Sequence, residues 1–221
     1  GKDSMYVDGH LPGAYGETHK LSALETMQFS AVSVVKDIDH CITLDFKCPG
    51  DLVYVLGLTK DELGASEYYD LFGRTGVNVP RVNFAANRVL YRAVEKAIGL
   101  EMTASCHAIG RGGLGIHLAL LTMAGGLGME IDLSRVPVTE ATLSSEVLLF
   151  SESAGRFVLT VPEANGPVFE KLCKGLAVRC VGTVTDAHDC LKIRGSEGDP
   201  LVDLACTDLE NAFNQLFGEM I

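Results

Sequence analysis

The sequence is short of positive charge. Eighteen lysines and arginines face 29 aspartates and glutamates, a formal net charge of −11 over 221 residues, and the cations form no cluster. A chain that grips a phosphate backbone concentrates Lys and Arg, so no nucleic-acid partner is expected. ATP is not excluded, because Mg²⁺ and local backbone donors can hold its phosphates on an acidic protein. Paired cysteines are lacking as well: seven are scattered, none in a C-x-x-C pair. An odd number without metal-ligand spacing argues against a disulfide framework or a zinc cage and for free thiols, hence a cytoplasmic location. The longest mostly apolar run, residues 118–129, is too short to span a bilayer and holds three glycines, so no membrane partner is expected. There is no recognisable signal peptide, internal repeat or low-complexity tract. A Walker A loop is absent, since no Gly-Lys-Ser/Thr follows the central glycines, and the full dinucleotide spacing is absent too.

What is present centres on Ser105-Cys106-His107-Ala108-Ile109-Gly110-Arg111-Gly112-Gly113-Leu114-Gly115. Residues 103–109 read as a short buried strand, and from about residue 112 Leu114, Leu118 and Leu121 fall at helical spacing. With Ala119, Leu120 and Met123 on other faces, this helix reads as apolar nearly all round and central. A strand, a glycine turn and a helix N-terminus aim backbone N–H groups outward, which suits an anion. The same glycines also suit a tight turn that lets two elements pack closely. Cys106 adjoins His107, but neighbours on a strand face opposite ways, so the two cannot act as a nucleophile–base pair.

Along the chain, Gly1-Lys2-Asp3-Ser4-Met5 places a cation, a carboxylate and a hydroxyl beside a glycine, a set that can serve phosphate and metal or simply be solvated. Residues 8–16 read as a loop and 28–38 as a strand. The polar connection 45–50 marks a boundary, dividing the chain into 1–46 and 47–221. Residues 51–57 form a buried strand, and Thr59 with Glu62 fits a capping box. A helical turn is expected over 66–71, an amphipathic helix over 84–98 and a strand over 129–133. Residues 137–145 are a loop or short helix. Phe150-Ser151-Glu152-Ser153-Ala154-Gly155-Arg156-Phe157 is a polar turn, in which Glu152 is either a ligand contact or an exposed turn carboxylate. A strand over 157–161 precedes a helix over about 163–174. Residues 178–184 and 191–194 read as a hairpin pair, and Thr207 with Glu210 forms a second capping box before a terminal helix. Alternating strands and helices from residue 51 onward give an α+β fold, a layered α/β domain preceded by a partial one.

Five separated pieces resemble one family. They are Gly1-Lys2-Asp3-Ser4-Met5, Pro49-Gly50-Asp51-Leu52-Val53-Tyr54-Val55-Leu56-Gly57, Leu63-Gly64-Ala65-Ser66-Glu67-Tyr68, Gly110-Arg111-Gly112-Gly113-Leu114 and Phe150-Ser151-Glu152-Ser153. In this order they resemble the carboxyl-terminal part of phosphoribosylformylglycinamidine synthase, over roughly residues 1–185, in the aminoimidazole ribonucleotide synthetase-like superfamily. The resemblance implies an ATP-dependent ligase of purine biosynthesis that amidates formylglycinamide ribonucleotide with glutamine-derived ammonia. It implies that residues 1–46 end an ATP-binding amino-terminal domain and that 47–221 are an aminoimidazole ribonucleotide synthetase-like carboxyl-terminal domain. The implied partners are formylglycinamide ribonucleotide, ATP, the other synthetase half and a glutaminase domain or subunit. Lys2 is then a nucleotide contact, Asp3 a Mg²⁺ ligand and Ser4 a substrate or phosphate contact, while His107, Gly112, Gly113, Glu152 and Ser153 line a second pocket. Where many relatives have His-Asp-x-Ser-Asp-Gly-Gly, Ala108 and Gly110 here lack the carboxylate and hydroxyl, and Ala154 stands where a polar amide is frequent. The resemblance therefore implies a structural role for that pocket and a fragment inactive alone. The alternative is a non-catalytic nucleotide-binding or assembly module of the same fold.

Overall fold

The computed structural model describes residues 8–13, 15–22, 30–35, 37–140, 142–186 and 191–218. The chain separates into two compact units, residues 1–38 and 39–221. In the first, β1 (Asp8–Pro12) and β2 (Thr18–Ser22) pair antiparallel, with His10 opposite Lys20. Much of the loop expected over 8–16 is thus a strand. Gly and Pro mark the turn, but the pairing that makes strands of its flanks leaves no mark on composition. Residues 30–35 form no regular structure, against the strand expected there, and Val32 and Val34 are 98% and 88% exposed. A strand needs a partner for its backbone groups, and none of the described residues provides one. Gln28 and Phe29 lie outside the described residues.

The second unit is built on a sheet whose central strand is β3 (Leu52–Leu56). Val53 and Val55 enter one core, Tyr54 and Leu56 the other. Burial on both faces is why this stretch is continuously apolar instead of alternating. Next come α1 (Glu67–Asp70), capped by the Ser66 hydroxyl, and α2 (Phe84–Gly99), capped by Asn83, whose Oδ1 accepts from the Ala86 N–H at 3.1 Å. They are followed by β4 (Ser105–Ile109), α3 (Gly113–Gly125), β5 (Met129–Asp132), α4 (Ser145–Phe150) and β6 (Arg156–Val161). The chain closes with α5 (Gly166–Leu172), β7 (Val178–Val184), β8 (Leu191–Arg194), β9 (Pro200–Leu204) and α6 (Cys206–Gly218).

The strand order is β4-β6-β3-β7-β5-β8-β9, antiparallel at every contact except β5–β8. One face packs on α3 and α4, with Leu209 of α6 at its edge, and the other on α2 and α5. Leu114, Leu118 and Leu121 of α3 are fully buried, and each such side chain contributes about 1.5–3 kcal/mol on transfer from water. The apolar-all-round helix is nonetheless one-sided in its burial, because Ile116 stays 46% exposed.

Four sequence expectations change in this unit. Thr59 caps no helix: it forms an isolated bridge with Val138, its hydroxyl accepts from Arg156, and Glu62 turns inward beside it. The motif has the composition of a cap, but the chain from 57 to 66 is held by loops distant in sequence. β7 and β8 do not pair with each other, because β5 lies between them, antiparallel to β7 and parallel to β8. It approaches so closely that a Cβ on Gly182 would lie 1.9 Å from the Glu130 carbonyl oxygen. Thr207 lies inside the first turn of α6, which starts at Cys206. The expected helix over 163–174 opens with a 3₁₀ turn, Glu163–Asn165, before α5.

Candidate functional site

The ends of three strands meet at one edge of the sheet: Ile109 of β4 pairs with Arg156 of β6, and Phe157 pairs with Leu56 of β3. The loops that follow or precede them, 57–66, 110–113 and 150–155, are thereby gathered. Gly112 and Gly113 have φ of +83° and +72°, which an L side chain resists. A Cβ on Gly113 would lie 2.6 Å from the Leu149 carbonyl oxygen and the Phe150 carbonyl carbon. The α3 N-terminus is therefore pressed against the end of α4 at Gly113, which favours the close-packing reading of that glycine.

The donors of the turn are occupied from within the chain. The Gly112 N–H donates to Glu152 Oε1 at 2.8 Å, and the Glu67 N–H, at the start of α1, donates to the same oxygen at 2.9 Å. Glu152 thus serves two helix N-termini, where the partial positive charge and free N–H groups favour an anion. Arg111 pairs with the Glu67 carboxylate alongside. Of the two readings of Glu152, neither solvent nor an external ligand is needed to explain it: the carboxylate is a clasp between loops.

Beneath Glu152 lies Arg156, 1% exposed. Its Nε donates to the Ser153 carbonyl at 3.0 Å, one terminal nitrogen to Thr59 Oγ1 at 2.9 Å and the other to the Ser151 carbonyl. Burial pulls its pKa down to about 10, opposed by the nearby Glu62 and Glu152 charges, so it remains cationic at neutral pH. Ser153 Oγ accepts from the Lys60 N–H at 3.1 Å, and Ser151 Oγ donates to the Lys60 carbonyl at 2.8 Å. Glu62 Oε1 accepts from the Arg81 N–H at 3.2 Å, while its Oε2 is buried with no partner among the described residues. Removing one member of such a buried charged set leaves the others unsatisfied, at about 3–5 kcal/mol.

His107 meets His117 of α3, Nε2 to Nδ1, at 2.8 Å. The Gly110 N–H donates to His117 Nε2 at 2.8 Å, so that nitrogen carries no proton. His117 Nδ1 must then hold the proton and donate it to His107 Nε2, which fixes both rings as neutral tautomers. Burial lowers both pKa values, and for His117 the neighbouring His107 adds to the effect. Cys106 faces the opposite core, and burial pushes its thiol up to about 11, so it is no thiolate nucleophile.

The structure thus brings His107, Gly112, Gly113, Glu152 and Ser153 to one edge of the sheet. Lys2, Asp3 and Ser4 lie outside the described residues. Sequence reading missed Arg156, Glu67, Ser151 and His117. Glu67 and Ser151 lie in motifs of the resemblance and Arg156 in the polar turn, and His117 is a histidine in a largely apolar helix, but nothing local marked them as partners of the site. Among the described residues no group of three or more His, Cys, Asp or Glu could hold a metal ion. With Glu152 Oε1 already taken by two backbone donors and no acid at Ala108 or Gly110, this pocket does not fit Mg²⁺.

Residues 48–191 match the family described as AIR synthase related protein, C-terminal domain. The chain belongs to this family. Over 160 residues, 72% of this chain, it is 38% identical to the phosphoribosylformylglycinamidine synthase subunit PurL of Thermococcus sibiricus, covering 22% of that protein. The resemblance read from the five motifs is thereby supported by the chain at large. Thermotoga maritima PurL complexed with FGAR superposes with a TM-score of 0.68 at 20% identity, over 78% of this chain and 30% of that one. The same protein complexed with ATP gives 0.64 at 18% identity, over 78% and 27%. These similarities establish the α+β fold, and the chain spans less than a third of each of these relatives.

Proposed function

We propose that the chain is the carboxyl-terminal part of a phosphoribosylformylglycinamidine synthase, an ATP-dependent carbon–nitrogen ligase with glutamine as amido donor. The 38% identity to the Thermococcus sibiricus subunit carries this reading. Residues 1–46 end the amino-terminal, ATP-binding domain, and 47–221 form the carboxyl-terminal domain. The substrates are ATP and formylglycinamide ribonucleotide, in keeping with the Thermotoga maritima complexes. The other synthetase half and a glutaminase domain or subunit complete the enzyme, in the cytoplasm. No helix among the described residues is long and apolar enough to cross a membrane.

In the reaction the substrate's amide oxygen attacks the γ-phosphorus of ATP and ADP leaves. Ammonia then adds to the activated carbon, inorganic phosphate departs, and a proton is lost to give the amidine. The chemistry needs positioned donors around the phosphates. On this chain Lys2 contacts the nucleotide, Ser4 a phosphate or the substrate, and Asp3 supplies a hard oxygen for Mg²⁺. Mg²⁺, when bound there, offsets the triphosphate charge. The pocket at His107, Gly112, Gly113, Glu152 and Ser153 acts as scaffold, since the Gly112 and Glu67 N–H groups donate to Glu152 and the Ser153 carbonyl accepts from Arg156.

The two edges separate in the full-length parent. Asp3→Asn lowers substrate-dependent ADP formation on the order of 100-fold or more, while Glu152→Gln, which keeps an acceptor oxygen for both N–H groups, stays within about threefold. Equal losses at both positions would reverse the assignment. A parent that binds ATP but forms no ADP in the presence of formylglycinamide ribonucleotide would favour the non-catalytic module instead.

A further inference from the structure

A second cavity lies away from the glycine turn, beside α5 and β7, with a volume of about 930 Å³. Three cations line it from three separate elements: Arg135 from the turn after β5, Lys174 from the end of α5 and Arg179 from β7. All three are exposed, and none has an ion-pair partner among the described residues. Glu170 is the one carboxylate among the lining residues, and it is engaged by Tyr54, whose hydroxyl donates to Glu170 Oε1 at 3.0 Å. On a chain of net charge −11, three cations without ion-pair partners lining one concavity make a local positive field that its walls focus. Leu58, Val136, Val138 and Leu176 add apolar lining.

We propose that this cavity binds a nucleotide-sized phosphate monoester, with its phosphate at Arg135, Lys174 and Arg179 and its apolar body against Leu58, Val136, Val138 and Leu176. Two features of the cavity select this class. The volume is at the upper end of that of small-molecule sites, too large for a lone inorganic ion. Arg guanidinium groups match phosphate oxygens in pairs, and the Lys ammonium adds a point charge. None of these residues belongs to the glycine turn or to the Lys2-Asp3-Ser4 edge, so the inference is independent of the proposed ligase activity.

The experiment is calorimetric titration of the 221-residue chain with AMP, adenosine and inorganic phosphate at low salt. AMP binds, adenosine does not, and inorganic phosphate binds at least tenfold more weakly than AMP. The double substitution Arg135→Gln/Arg179→Gln weakens AMP at least tenfold while leaving the ligand-free melting curve unchanged, since both side chains are exposed. Lys174→Gln, made separately, weakens AMP as well. No AMP binding, equal binding of adenosine, or AMP binding that survives the double substitution would each overturn the proposal. ADP formation by the full-length parent reads the ligase assignment separately, so either reading can fail without the other.

Discussion

Glu152 and Gly113 carry opposite kinds of information in the same turn. Glu152 supplies charge where two helices present bare N–H groups, and Gly113 supplies the absence of a side chain where α3 meets α4. The second can be tested without any ligand. Gly113→Ala forces a Cβ into backbone at 2.6 Å with φ at +72°, and neither the Leu149 carbonyl nor Phe150 can swing aside as a side-chain tip would. Strain at positive φ and overpacking together amount to about 2–4 kcal/mol. The melting temperature of the ligand-free chain should fall on the order of 5–10 °C. An unchanged melting curve would mean that the glycine serves a ligand and not packing.

At the scale of elements, the junction of β4 with α3 is made by His107 and His117, and it carries a pH dependence. Both rings titrate below their usual value when folded, from burial first and, at His117, from the neighbouring ring. The unfolded chain therefore takes up protons first as pH falls from 7 through the ordinary histidine range, and stability rises with pH in that window. The groups facing the pair are the Gly110 N–H, which meets His117 Nε2, the Arg156 charge, which disfavours protonation, and the Arg111 and Gly110 backbone, which favours it and offsets part of the shift. Melting temperature should drop between about pH 7 and pH 5.5, and His117→Asn should flatten that part of the profile. A wild-type profile flat across the window would remove the histidine pair as its cause. Helices α2, α3, α5 and α6 were legible in their apolar spacing and most strands in short apolar runs, whereas α4 and β9 were not read. The capping box at Thr59 and the β7–β8 hairpin were misread because composition marks a turn or a cap but not which element arrives next to it.

For the molecule as a whole, the family match covers residues 48–191, and the chain spans 22% of the Thermococcus sibiricus relative. On the proposed ligase reading, a site assembled from two synthetase halves would be incomplete in 221 residues. The isolated chain, with ATP, ammonia and formylglycinamide ribonucleotide, should give no substrate-dependent ADP above background. Measurable turnover would place the whole catalytic site within it. The sequence alone determined the family, through five motifs in order, and the buried β3, the amphipathic α2 and the glycine-to-helix junction of α3, because each of these elements is written in residues adjacent or one helical turn apart. Only the tertiary structure decided that Glu152 fills the turn, that Arg156 ties two loops together and that β5 inserts between β7 and β8. Glu152 reaches Gly112 across 40 positions and Glu67 across 85, and Arg156 reaches Thr59 across 97. Contacts at that separation depend on the path of the whole chain, which no local pattern records.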